Sequence, residues 1–199
     1  MAPIITAAVE GPTDEAVARK LVAHVGAQPG TVHGKQGKPH LRQQIDSYNH
    51  AARRTPWLIL VDLDRDADCA PPFVQAWLPR PAPFLCLRVA VRAVEAWLLA
   101  DAERLAAFLG VAAGRIVAQP EQLDDPKQAM VDLAGASRRR DILADMVPRA
   151  GSGRKVGPAY TSRLIEFVTN HWRPEAAARR AESLARTIRC LSRLAETAT

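Results

Sequence analysis

Five consecutive apolar residues, Trp57-Leu58-Ile59-Leu60-Val61, restrict the fold of this chain more than any other segment. The run lacks the alternation of a half-exposed strand and is too short for a core helix, so it reads as a strand buried on both faces. Such a strand belongs to a parallel sheet with helices above and below. The neighbouring segments agree. Pro3 to Val9 is a short β-branched and apolar run that ends in the turn Glu10-Gly11-Pro12. Thr13 can cap the next helix, with Ala16, Val17, Leu21, Val22 and Val25 on its apolar face and Gly26 at its end. Gly30 to Pro39 reads as a Gly/Lys-rich loop and Leu41 to Arg53 as a helix. Pro83 to Val91 reads as a strand leading to a helix from about Ala93 to Leu109. Strands alternating with helices predict an α/β fold with a parallel sheet flanked by helices.

After Gly110 the pattern is helical only. Pro126 and Pro174 stand at first-turn positions, and Glu175 to Ala195 carries apolar residues at helical spacing. The expected organisation is a catalytic α/β domain over residues 1–118 and an α-helical C-terminal extension over 119–199, packed on it. The proline-rich stretch from Pro71 to Pro83 reads as a surface crossover, not a linker.

Composition excludes several classes. Apolar residues make up 48% of the 199, enough for a core, and 24% are charged, which argues against a polar disordered chain. No apolar run approaches bilayer length, and the start lacks the basic-then-apolar pattern of a signal peptide. Three cysteines (Cys69, Cys86, Cys190) without CxxC spacing predict neither a disulfide framework nor a zinc knuckle. The expected setting is cytoplasmic. Net charge is +6, and residues 136–199 hold 13 Lys and Arg against 6 Asp and Glu. This imbalance suggests attraction to a polyanion. Arginines scattered over solvated helix faces explain the count equally well.

Ligands of an open parallel sheet bind beyond the carboxyl ends of its strands. Three predicted strand ends deliver carboxylates there: Glu10 from the first, Asp62 and Asp64 from the second, and Glu95 in the turn after the third. Asp62 and Asp64 share a face if the strand stays extended, with Asp66 and Asp68 following in the loop. Carboxylates converging in one cleft repel each other unless a cation neutralises them. Hard divalent ions with oxygen ligands, Mg2+ or Mn2+, suit such a set. Singly, Glu10 reads as well as a helix-dipole partner, and the DxD as an acidic turn. Their joint occurrence at three strand ends is what favours a metal site.

The run Val9-Glu10-Gly11-Pro12-Thr13-Asp14-Glu15, followed by Asp62-Leu63-Asp64, resembles the Toprim domain of topoisomerases, primases and OLD-type nucleases. It is most similar to compact bacterial Toprim-like proteins, in which Glu-Ala-Trp-Leu-Leu-Ala-Asp follows the DxD; Glu95 to Asp101 fits that element in full. The resemblance covers roughly residues 4–130. It implies a Toprim-like Rossmannoid sheet and metal-dependent cleavage of phosphodiester bonds in DNA or RNA. Glu10 would be a general acid/base or metal ligand, and Asp62 and Asp64 would hold one or two Mg2+ or Mn2+ ions. Glu95 would complete a second site, while Asp101 serves equally as a packing or capping residue. A catalytic lysine near the metals is implied, with Lys155 and Lys127 as candidates. The implied partners are nucleic acid and a separately encoded ATPase, with bacterial defence as the setting by analogy and oligomerisation left open.

Trp97 reads as core, because it shares one helical stripe with Val94, Leu98 and Leu105. Gly34-Lys35-Gln36-Gly37-Lys38 is not a Walker motif, since Val32 stands where its first glycine belongs and Pro39 follows the lysine. Lys35 and Lys38 remain candidate phosphate contacts, as do Lys127 and Arg154; a solvated turn explains the loop as well. A haloacid-dehalogenase-type phosphatase would put its DxD on the first core strand, and a sugar-nucleotide transferase needs a larger domain. The rival from another class is a non-catalytic Toprim-like module that binds nucleic acid or an ATPase.

Overall fold

The computed structural model describes residues 2–197. Four parallel strands, β1 (Ile4–Val9), β2 (Gln28–Gly34), β3 (Trp57–Asp62) and β4 (Leu85–Ala90), form one sheet in the order β2-β1-β3-β4. Helices α1 (Pro12–His24), α2 (Lys38–Ala51) and α3 (Ala70–Trp77) connect successive strands. β3 lies at the centre as its apolar run requires. Leu58 and Leu60 pack into the core shared with α1, while Ile59 and Val61 pack with Leu41 and Ile45 of α2 and Phe73 of α3. The chain is α/β.

The Gly/Lys-rich segment is not a loop throughout. Gln28 to Gly34 is β2, paired to β1 at the sheet's edge. Gly and Pro are poor strand formers, but an edge position tolerates Pro29, and backbone pairing to β1 supplies the missing propensity. Gly34 has φ +83, and a Cβ there would collide with the Val9 carbonyl oxygen. The glycine therefore serves a tight strand exit. At the start of α1 the cap is not Thr13: the Gly11 N–H donates to the Asp14 carboxylate at 2.7 Å, with Pro12 as the first helical residue.

Beyond β4, α4 (Val94–Ala100) and α5 (Ala102–Leu109) replace the single helix expected. The chain breaks at Asp101, whose carboxylate accepts from the backbone N–H, Nε and Nη2 of Arg173 at 2.9, 3.2 and 2.7 Å. Asp101 is thus structural. Helices α6 (Pro126–Gly135), α7 (Arg140–Met146), α8 (Tyr160–Asn170), α9 (Pro174–Ala177) and α10 (Glu182–Thr197) follow, with short 3-10 turns at Ala113–Arg115 and Pro120–Gln122. Pro126 and Pro174 do open helices. The expected last helix is split between α9 and α10, where Glu121 accepts from the N–H groups of Glu182 and Ser183 at 2.9 and 3.0 Å.

The C-terminal helices share one hydrophobic core with the sheet face that α1 covers. Trp97 lies at its middle, fully buried. Its Nε1 donates to Ser183 Oγ at 2.7 Å, and its carbonyl accepts from Trp172 Nε1 at 3.2 Å. Contrary to expectation, two cysteines pair: Cys86 of β4 and Cys190 of α10 form a disulfide with Cα atoms 6.2 Å apart, leaving Cys69 free. They sit 104 residues apart, so no local spacing announces the pair. No helix among the described residues is long and apolar enough to cross a membrane.

Replacing Trp97 by alanine is expected to cost about 3–5 kcal/mol, the range for emptying a large aromatic site. Urea denaturation should show a lower midpoint at unchanged slope; an unshifted midpoint would contradict this packing.

Candidate active site

The strand order reverses direction between β1 and β3, and ligands of such sheets bind at that switch point. Glu10 leaves β1 and Asp62 ends β3 on its two sides. They are in direct contact, the Asp62 N–H donating to Glu10 Oε1 at 2.7 Å. Asp62 Oδ1 in turn accepts from the Val94 N–H at 3.0 Å, at the opening of α4. Glu95, the next residue and 3% exposed, accepts from the Tyr160 hydroxyl at 3.3 Å. The Lys127 ammonium, from the first turn of α6, lies 3.6 Å from the same Glu95 oxygen.

Asp14 joins this group, although nothing in the sequence marks its side chain as turned inward. It is 8% exposed, held by the Gly11 N–H, and within electrostatic reach of Glu10 and Glu95. Its position is legible only in hindsight: Asp14 lies one helical turn after the strand end that delivers Glu10. Burial first, then the neighbouring Glu10 and Glu95 carboxylates, pushes the Asp14 carboxyl up to about 7. Burial and the charges of Asp14, Glu95, Glu10 and Asp64 lift Asp62 well above the ordinary range. Glu10 is raised by burial, against the opposing effect of the Asp62 N–H and Lys38. The Glu95 carboxylate raises the pKa of Lys127.

Glu10, Asp14, Asp62 and Glu95 each engage one oxygen in an internal bond. Among the described residues, Arg88 Nε is the only buried side-chain nitrogen or oxygen without a partner. The second oxygens of these four carboxylates make no hydrogen bond among the described residues and are free to take another partner. An all-oxygen donor set of this kind suits a hard divalent cation. Among the described residues, however, no group of three or more His, Cys, Asp or Glu side chains is already arranged to hold a metal ion.

Asp64 does not share a face with Asp62. The strand ends at Asp62, and Asp64 turns into the left-handed region at φ 49, which breaks the alternation. Its exposed carboxylate and that of Asp66 accept from the Lys38 ammonium, Asp66 at 2.7 Å. Arg92, after β4, also has positive φ, at 63. The two residues bond each other: the Asp64 N–H donates to the Arg92 carbonyl at 2.8 Å, and Arg92 Nη1 donates to the Asp64 carbonyl at 2.9 Å. Paired non-glycine residues in this conformation mark a strained mouth.

The candidate phosphate contacts do not assemble as one set. Lys35 is paired to Glu15 at 3.1 Å, and Lys38 to Asp64 and Asp66. Arg154 lines a separate hollow with Arg149 and Ser152. Lys127 and Lys155 line one cleft of about 520 Å3 with Arg65 and Arg92, among the acidic side chains of Asp64, Asp66, Asp124 and Asp125. Sequence reasoning missed Asp14, Tyr160 and Arg92, whose roles depend on tertiary neighbours. No protein-family profile, no curated protein and no solved structure matches this chain.

Three raised carboxyls fix a pH response. Protons that Glu10, Asp14 and Asp62 retain when folded are released on unfolding, so their favourable contribution is full below about pH 4 and fades as pH rises towards 7. Thermal unfolding in EDTA should show the midpoint falling across that window, with a smaller slope in Asp14→Asn. In EDTA-free buffer, Mn2+ added at pH 7 should raise it. A midpoint that climbs between pH 4 and 7 would contradict the carboxylate cluster.

Proposed function

We propose that this chain is a Toprim-like, divalent-metal-dependent nuclease that cleaves phosphodiester bonds in DNA or RNA. The observation that carries the reading is the contact of Glu10 with Asp62 at the switch point, with Asp14 and Glu95 within electrostatic reach of them. Glu10, Asp62, Asp14 and Glu95 would hold Mg2+ or Mn2+. When bound, the ion supplies an activated water and offsets charge on the phosphate.

The remaining roles belong to the chain's own groups. Lys127, exposed over half its side chain yet next to Glu95, would meet a phosphate oxygen, with Lys155 and Arg92 along the same cleft. Backbone N–H groups of Asp62, Val94 and Gly11 hold three carboxylates in fixed orientation. Glu10, held by the Asp62 N–H at the switch point, would serve in proton transfer. Asp64 would act from the rim with Lys38 as its counter-charge. A cytoplasmic setting is part of this reading and stands in tension with the Cys86–Cys190 disulfide, because reducing compartments keep thiols open.

A second reading, a non-catalytic module that binds nucleic acid or an ATPase, draws on the lack of a ready-arranged donor group among the described residues. Calorimetric titration with Mn2+ separates the two. Binding that disappears in Asp62→Ala supports the nuclease, and no binding to the parent protein supports the module. In cleavage assays with plasmid and single-stranded DNA or RNA, Asp62→Asn and Glu10→Gln should each lose more than about 100-fold, beyond the loss typical of groups behind a ligand. Parental rates in either variant would remove that residue from the mechanism.

A further inference from the structure

β4 is an outer strand of the sheet, and its free edge opens between α3 on one face and α10 on the other. A groove of about 540 Å3 follows that edge, lined by Cys69, Val74 and Leu87 on the α3 side and by Arg88, Ser183 and Arg186 on the α10 side. Arg88 lies on the same face of β4 as Cys86, the face that α10 covers. Its side chain makes no hydrogen bond or ion pair among the described residues, and its Nε is both buried and unpartnered. Buried polar nitrogens are seldom left this way without a role.

Three more guanidiniums crowd it. Arg186, Arg189 and Arg193 recur every three to four residues along α10, so they share one side of the helix. Burial and the fields of Arg186, Arg193 and Arg189 all pull the Arg88 pKa down, a sign of mutual proximity. The acids nearby do not balance them. Glu182 pairs with Arg186 and Arg189 at 2.9 and 3.1 Å, while Glu121 is occupied by the start of α10. Asp68 also lines the groove, and Glu196 lies in the last turn of α10 without an ion pair among the described residues.

We propose that the β4 edge groove and the arginine row of α10 bind the phosphate backbone of a nucleic acid strand. The row from Arg186 to Arg193 is roughly 10 Å long, seven residues of helical rise, too extended for one phosphate ion and suited to repeated ones. Guanidinium groups grip phosphate oxygens in pairs, and Arg88 Nε is a donor still without an acceptor. Asp68, one of the groove's lining residues, belongs to the same β3–α3 loop that carries Asp64 and Asp66, which ties the groove to the rim of the carboxylate cleft. This inference rests on nucleic acid being the substrate class, as in the nuclease reading, but not on cleavage.

The test measures fluorescence anisotropy of labelled single-stranded DNA with the full chain in EDTA, where cutting cannot occur. The double variant Arg189→Gln/Arg193→Gln, changed only at exposed positions, should bind more weakly. Its slope of log affinity against log salt should be shallower by about 1.4, two contacts at single-strand counterion release. Arg53→Gln/Arg54→Gln, at the far end of the sheet, should match the parent. Bound DNA should also slow alkylation of Cys69, the free thiol lining the groove. An unchanged slope in the arginine variant, an equal loss in the control pair, or undiminished Cys69 labelling would overturn the proposal. Binding of polyaspartate as tight as that of DNA would overturn it in favour of an acidic protein partner. Arginine-dependent binding without any metal-dependent cleavage would uphold the groove while removing the nuclease reading.

Discussion

Like charges brought together at the ends of parallel strands must be held against their own repulsion, and in this fold backbone N–H groups do the holding. The Asp62 amide binds Glu10, the Val94 amide binds Asp62 and the Gly11 amide binds Asp14. Each donor comes from a strand end or helix start whose position is set by the sheet. The cluster therefore depends on the β1–β3 pairing, and that pairing depends on the five-residue apolar run that fills both sides of β3. Without a rigid sheet, four carboxyls would spread apart into water.

The helical C-terminal part closes this arrangement from behind. Tyr160 of α8 reaches Glu95, Lys127 of α6 balances it, and Ser183 of α10 anchors Trp97 on the same short helix as Glu95. Arg173 fixes the chain break at Asp101, one residue past the end of α4. Residues far downstream, from Lys127 to Ser183, thus determine where Glu95 points. The expected boundary near residue 118 divides the sequence by pattern, yet the two parts fill one core.

What could be read from the sequence was what local chemistry decides. The β3 run, the strand-end carboxylates Glu10 and Asp62, the first-turn prolines and the buried Trp97 all follow from patterns within a few residues. Long-range pairing hid the rest. β2 has the composition of a loop and becomes a strand through its bonds to β1. Asp64 leaves the alternation because its amide turns to bond Arg92 on another loop. The Cys86–Cys190 pair joins segments far apart in the chain, and Asp14 turns inward to cap its own helix.

The reciprocal bonds between Asp64 and Arg92 have a mechanical consequence. The connection leaving β3 and the connection leaving β4 are clasped at their tips, each in a backbone shape it would not adopt alone. Neither tip can swing outward by itself without forfeiting both bonds. The two connections are therefore coupled, and a movement that opens one loosens the other with it.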